Sequence, residues 1–279
     1  MTFTSVLVHV DAGSPSSDAR VELAADIAER FQALLIGVAA GEPAPVPAEA
    51  YGAGSVVADL LVEEDEQIKR ELAAAEERFR AISGAHGVAL EWRSATAVPA
   101  DFIVREARSA DLVVVGRDLA RAQAGMYRAA DPGDVLMVAG RPVLVVPPGT
   151  NSLKADHVLV AWKDSREARR AVVDALPFLA KAQTVSLLEV AEEADRESAA
   201  ARTDRVASFL ERHGVNARPE ARTQRERSAA DELILAAEQR QADLIVAGGY
   251  GHARLREWAF GGVTRDLLKR SPKCCLLSH

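Results

Sequence analysis

The chain repeats itself, and the repeat limits what it can fold into. Val158-Leu159-Val160-Ala161-Trp162 echoes Val6-Leu7-Val8-His9-Val10, and Ala242-Asp243-Leu244-Ile245-Val246 matches Ala110-Asp111-Leu112-Val113-Val114. Pro272 to Ser278 likewise matches Pro142 to Pro148. Short apolar runs bounded by turn residues read as buried strands, and the longer amphipathic stretches between them read as helices. Two successive β-α-β-α-β-α-β-α-β copies imply two parallel sheets flanked by helices.

In the first copy, strands are expected at 5–10, 33–39, 88–94, 112–115 and 142–147. Helices fall from Ser16 or Ser17 to about Arg30, over 56–83 and over 99–108, and a last helical stretch is interrupted near Pro132. In the second copy, strands fall at 158–162, 185–190, 215–221, 242–247 and 272–278, with helices at 165–181, 195–213, 228–240 and 263–269. Residue 6 maps to 158, a shift of 152, whereas 110 maps to 242, a shift of 132. The first copy therefore holds 20 extra residues, which the Pro/Gly-rich loop 41–55 and a longer second helix can absorb. Gly149-Thr150-Asn151-Ser152 is the joint, giving domains 1–149 and 153–279, each long enough for its own core.

Within the second copy, Gly248-Gly249-Tyr250-Gly251 opens a loop that closes at Gly261-Gly262, after a strand and before a helix. Glycine lets the backbone approach a ligand where a Cβ would clash. A helix that starts just past such a loop points unpaired N–H groups and its positive end at whatever lies there, which suits a phosphate.

Other chemistries fit less well. The formal charge of −7 makes a nucleic-acid backbone an unfavourable general partner. No apolar run approaches the roughly 20 residues that span a bilayer, and Met1-Thr2-Phe3-Thr4-Ser5 has no basic segment of a secretory signal. Two adjacent cysteines, Cys274 and Cys275, argue against a disulfide framework and suit a reducing cytoplasm. On a strand they point to opposite faces, so one is expected buried and the other at an interface, with no shared metal ion.

The chain has no Gly-x4-Gly-Lys-Ser/Thr, no Gly-x-Ser-x-Gly, and no Gly-x-Gly-x-x-Gly after a first strand. The six histidines lack metal-ligand spacing, His9 reads as a hydrogen-bonded core residue, and no metal site is expected. Glu63-Glu64-Asp65-Glu66 and Glu192-Glu193 read as solvated. Trp162, Trp258 and Phe260 read as core or interface packing.

The spacing Gly248-x2-Gly251-x9-Gly261, taken with the first-strand and fourth-strand segments and the restart, resembles the universal stress protein family, in its tandem form. The resemblance implies a Rossmann-like, adenine nucleotide alpha hydrolase-like α/β fold. Each of the two doubly wound domains would have a five-stranded parallel sheet of order 3-2-1-4-5. By the same resemblance the second domain binds ATP, with or without Mg²⁺, or a related adenine nucleotide. Phosphates and ribose would lie on Gly248, Gly251, Gly261, Gly262, Val263 and Thr264, with Ala247 beside the ribose. Adenine would lie near Ala161, Lys163 and Val190.

Two residues depart from the family pattern. Lys163 stands where an Asp is usual, which could weaken adenine or ribose contacts or pair a phosphate. Gly262 replaces the usual hydroxyl residue but keeps the backbone N–H. His252, Arg254 and Arg256 are further possible phosphate contacts.

The first domain has the opposite pattern. Asp11 holds the adenine-side position and Gly116 the first signature position, but Leu119 and Ala129 replace the later glycines. Asp131 and Asp134 place carboxylates where phosphates would sit, so this loop reads as degenerate.

No base or nucleophile is assigned, so a stress-response module that switches shape or partner on nucleotide binding is preferred to an enzyme. The alternatives are a ligand-free dimerisation scaffold and a slow ATPase. The resemblance also implies edge-to-edge pairing of fifth strands, here Val143–Val146 with Cys274–Leu277 as an intrachain pseudo-dimer, with a homodimer beyond it.

Overall fold

The structure, a computed structural model, describes residues 2–45, 55–117, 127–224, 226–250 and 262–279. The chain divides into two compact units. One holds Thr4–Val135 with Pro148–Ser152, and the other holds Leu136–Pro147 and Leu153–His279 together with the start of the chain.

The first unit runs β1 (Ser5–His9), α1 (Asp18–Phe31), β2 (Leu34–Gly41), α2 (Ser55–Ser83), β3 (Leu90–Thr96), α3 (Pro99–Glu106) and β4 (Leu112–Gly116). Its strands are parallel in the order β3-β2-β1-β4, with Ser5 opposite Leu34, Leu35 opposite Leu90, and Val6 opposite Leu112. Val6, Leu7, Val8 and Leu112 to Val115 are fully buried, as expected of parallel strands covered on both faces. Helix α1 stops where Gln32 turns left-handed at φ 54° and its N–H closes on the Ala28 and Glu29 carbonyls.

After α4 (Pro132–Val138) and β5 (Val143–Val146), the second copy begins with β6 (His157–Trp162), α5 (Arg166–Asp174), α6 (Leu176–Leu179) and β7 (Thr184–Ala191). It continues with α7 (Arg196–Arg212), β8 (Ala217–Thr223), α8 (Ala229–Gln239), β9 (Leu244–Gly248), α9 (Gly262–Arg270) and β10 (Cys274–Ser278). In the second unit the order is β5-β10-β9-β6-β7-β8. The stretch β10-β9-β6-β7-β8 is all parallel and is the 3-2-1-4-5 order read from its far edge. Strand β5 pairs antiparallel with β10, setting Val145 against Cys275 and Val143 against Leu277, so the expected fifth-strand pairing is present.

Two expectations change. The single helix over 165–181 is two pieces, because Pro177 brings no N–H to continue the ladder past Ala175. Both cysteines are buried, at 2% and 1% exposure, and burial pushes the Cys274 thiol up to about 12.

The repeated Ala-Asp pair has a structural reason. Asp111 accepts from the N–H groups of Thr4 (2.8 Å) and Ser5 (3.1 Å), and Asp243 accepts from Asp156 (3.1 Å) and His157 (3.2 Å). Each carboxylate thus pins the start of its neighbouring strand. Burial pushes the Asp111 carboxyl up, but the hydrogen bonds from Thr4 and Ser5 outweigh it and hold it below its ordinary range. Asp111→Ala is expected to lower stability by about 1–3 kcal/mol, as measured by urea unfolding.

Candidate functional site

In the second copy, two adjacent strands carry alanines near their carboxyl ends. Ala161 on β6 lies opposite Ala247 on β9 and opposite Leu188 on β7. Lys163 follows as an exposed cation, and Val190 is half-buried on β7. Ser165 caps α5 by accepting from the Ala168 N–H at 3.3 Å. Glu167 is buried beside it. Burial pushes this carboxyl up, but bonds from Arg166, its own backbone N–H and Ser165 hold it below its ordinary range.

The glycines at the end of β9 have separate causes. A Cβ on Gly248 would sit 2.5 Å from the Ala168 nitrogen and 2.8 Å from the Glu167 carbonyl carbon. Gly248 therefore exists so that β9 can touch α5. A Cβ on Gly249 would meet Leu136 at 2.7 Å. The Gly249 N–H donates to the Ser278 carbonyl at 2.8 Å.

Tyr250 is left-handed at φ 47°, and its N–H donates to the Thr264 Oγ1 at 3.1 Å. The buried Thr264 thus ties the departing chain to α9. At the start of that helix, Gly262 is exposed and an added Cβ would meet nothing within 4 Å among the described residues, while Val263 is half-buried. Gly251, His252, Arg254, Arg256 and Gly261 lie outside the described residues.

The counterpart in the first copy is built differently. Asp11 is buried and takes the Arg20 guanidinium at 3.1 Å, with His9 Nδ1 3.6 Å away. Arg20 also donates to the His9 carbonyl at 2.8 Å. Its Nη1 lies 1.7 Å from where a Cβ on Gly116 would be, so the guanidinium occupies the space beside that glycine. Arg78 donates to the Asp11 and Ser14 carbonyls, and Arg128 joins Glu71 at 2.8 Å and the Glu42 carbonyl.

At α4, the Asp131 carboxylate accepts the Gly133 N–H at 2.7 Å, so the start of this helix already has an anion of its own. Burial and the charges of Asp131 and Asp101 raise the Asp134 carboxyl.

The structure also assembles groups that spacing did not connect. His86, in the turn after α2, lies 3.0 Å from Glu29, 3.4 Å from Glu22 and 3.5 Å from Asp26, all on α1. Glu22, Asp26 and His86 form the metal-type donor cluster found among the described residues. The carboxylates share one helix face at intervals of three and four, but the histidine comes from 57 residues beyond Glu29.

Burial pulls the His86 pKa down, but the Glu29 hydrogen bond and the charges of Glu22, Asp26 and Glu29 outweigh it and raise it. A raised folded pKa means the native state holds the proton more tightly. This contribution is therefore full below the ordinary imidazole value and is lost as pH rises through the raised one. Urea unfolding of the wild type and His86→Ala should differ most below the ordinary imidazole pKa, and the difference should shrink as pH rises through the raised one.

The fold is that of doubly wound α/β proteins, whose ligands bind at the carboxyl ends of the strands near the switch in strand order. β6 and β9 meet at such a switch. Residues 2–147 and 154–279 each match the Universal stress protein family, and the chain belongs to that family. A universal stress protein from Archaeoglobus fulgidus DSM 4304 is similar over 98% of this chain and 95% of its own, with 19% identity and a TM-score of 0.68. A functionally unknown protein from Pseudomonas aeruginosa PAO1 is similar over 99% and 92%, with 16% identity and a TM-score of 0.59. At these identities the likeness concerns the fold. No curated protein matches the chain. Among the described residues, no helix is long and apolar enough to cross a membrane.

Proposed function

We propose that the second copy binds ATP or a related adenine nucleotide, and that occupancy switches the shape or partners of the protein in a stress response. Universal stress proteins often bind adenine nucleotides. The observation that carries the reading is the contrast between the two helix starts. Among the described residues nothing fills the α9 start at Gly262, whereas its counterpart at α4 holds the Asp131 carboxylate, and Arg20, paired with Asp11, takes the space beside Gly116.

In this reading Ala161, Ala247 and Val190 bound the base and ribose. The N–H groups at Gly262 and Val263 take a phosphate, and Lys163 supplies a cation. Gly251, Gly261, His252, Arg254 and Arg256 complete the loop. Thr264 acts by holding Tyr250 rather than through a free hydroxyl. The domains are 1–149 and 153–279, the setting is the cytoplasm, and a homodimer forms beyond the intrachain pairing. No residue is assigned as base or nucleophile, so binding rather than turnover is the activity.

Mass spectrometry of the denatured purified protein, with calorimetry using ATP and Mg²⁺, tests the reading. Co-purified adenine nucleotide or saturable heat is expected, and neither appearing overturns it. The second reading is a ligand-free scaffold, favoured by the β5–β10 pairing.

A further inference from the structure

Helix α1 and the turn after α2 meet at His86. The imidazole is 9% exposed, and its ring lies against three carboxylates of α1. Nδ1 makes its hydrogen bond with Glu29 at 3.0 Å. Nε2 faces Glu22 at 3.4 Å, longer than a well-formed N–H···O bond. Asp26, between them in the helix, lies 3.5 Å from Nδ1.

These groups are spaced as donors to one ion. Glu22, Asp26 and His86 offer one donor atom each, and the three atoms all lie within 4.8 Å of one another. Donors around a tetrahedral zinc are about 3.3 Å apart, so a shift of roughly 1 Å closes the set. The Glu22 and Asp26 side chains are 43% and 44% exposed and have room to make it. His86 and Glu29 also line a cleft of about 410 Å³, so solvent reaches the ring.

A solvated acidic helix face would show the carboxylates alone. Here a nearly buried imidazole from another element is seated among them. With Nδ1–H held by the Glu29 carboxylate, the ring presents the Nε2 lone pair, which is how ligating histidines are oriented. Charge points the same way. The imidazole and Arg30 are the cations acting on Asp26, against three carboxylates on that face.

We propose that His86 Nε2, Glu22 and Asp26 bind one divalent first-row transition ion of the zinc type, with solvent completing the shell. Glu29 is the positioning residue that holds the ring. One imidazole nitrogen beside two carboxylates favours such an ion over Mg²⁺ or Ca²⁺, which take oxygen donors. The ion would clamp α1 to the turn between α2 and β3. The neighbouring cleft is lined by Leu34 and Ala89, at the starts of β2 and β3. The site is therefore at the opposite end of the sheet from the strand ends of the nucleotide reading, and does not depend on it.

The test is calorimetry with Zn²⁺ on the full chain, stripped with EDTA and without nucleotide. In parallel, ¹⁵N-histidine NMR follows the ring, with the His86 signals assigned through His86→Ala. One saturable site is expected, with movement of the His86 Nε2 signal and a higher urea midpoint. His86→Ala should abolish all three. So should Glu22→Gln with Asp26→Asn, which changes only half-exposed side chains and keeps the fold. Glu29→Gln should keep the one-site stoichiometry and weaken Zn²⁺ by about tenfold.

Unchanged Zn²⁺ binding in His86→Ala, or an unmoved His86 signal at saturating Zn²⁺, overturns the proposal and leaves an ion-pair cluster. Mg²⁺ or Ca²⁺ binding as tightly as Zn²⁺ also overturns it, because the carboxylates alone then attract the ion. Failure of ATP to bind, with Zn²⁺ still bound, removes the nucleotide reading and leaves this site standing.

Discussion

Arg20→Ala is expected to destabilise the first unit by about 3–5 kcal/mol, the range for removing one partner of a buried ion pair. Both side chains are nearly inaccessible, at 6% and 5% exposure. Truncation strands the Asp11 carboxylate in the interior and also strips the His9 carbonyl of its donor. The cost comes mainly from the orphaned charge rather than from lost attraction. The double variant Arg20→Met with Asp11→Leu should therefore unfold at higher urea than Arg20→Ala alone. If the single variant unfolds within about 1 kcal/mol of the wild type, water reaches the pair and Arg20 does not seal the site. Nucleotide affinity of the second copy should not change.

Gly248→Ala should lower stability by about 1–3 kcal/mol, because the new methyl meets the backbone of α5 and not a side chain that can swing away. Relieving the overlap parts β9 from α5, so, in the proposed nucleotide-binding reading, ATP affinity should fall by about a hundredfold, near 2.7 kcal/mol. Gly262→Ala supplies the contrast. Its Cβ meets no atom of the described residues within 4 Å, so unfolding should stay within about 0.5 kcal/mol of the wild type. Calorimetry and urea unfolding of the two variants separate a glycine needed for packing from one that only keeps a helix start open. Equal effects would contradict the distinction.

Much of the architecture was legible from local pattern. Val6 to Val8 and Leu244 to Ala247 are apolar runs that only a strand covered on both faces can bury, and the repeat gave the strand sequence of each copy. Ser165 and Ser228 are hydroxyls placed to cap, and both do, accepting from Ala168 and Asp231. Pro177 is the residue that marks the helix break, but the apolar spacing continues through it and masks the break in the pattern. In the first copy the missing glycines and the added carboxylates were legible in the residues. That Arg20 fills the space was not, because an arginine on a helix reads as solvated until the strand end beside it is known.

What the sequence by itself determined was the order and type of elements, since period, caps and turns are settled by residues a few places apart. The tertiary structure alone decided which charges meet: Arg20 with Asp11, and His86 with three carboxylates of α1. Those pairings join residues from separate elements. They depend on how the elements pack, and no local period records it.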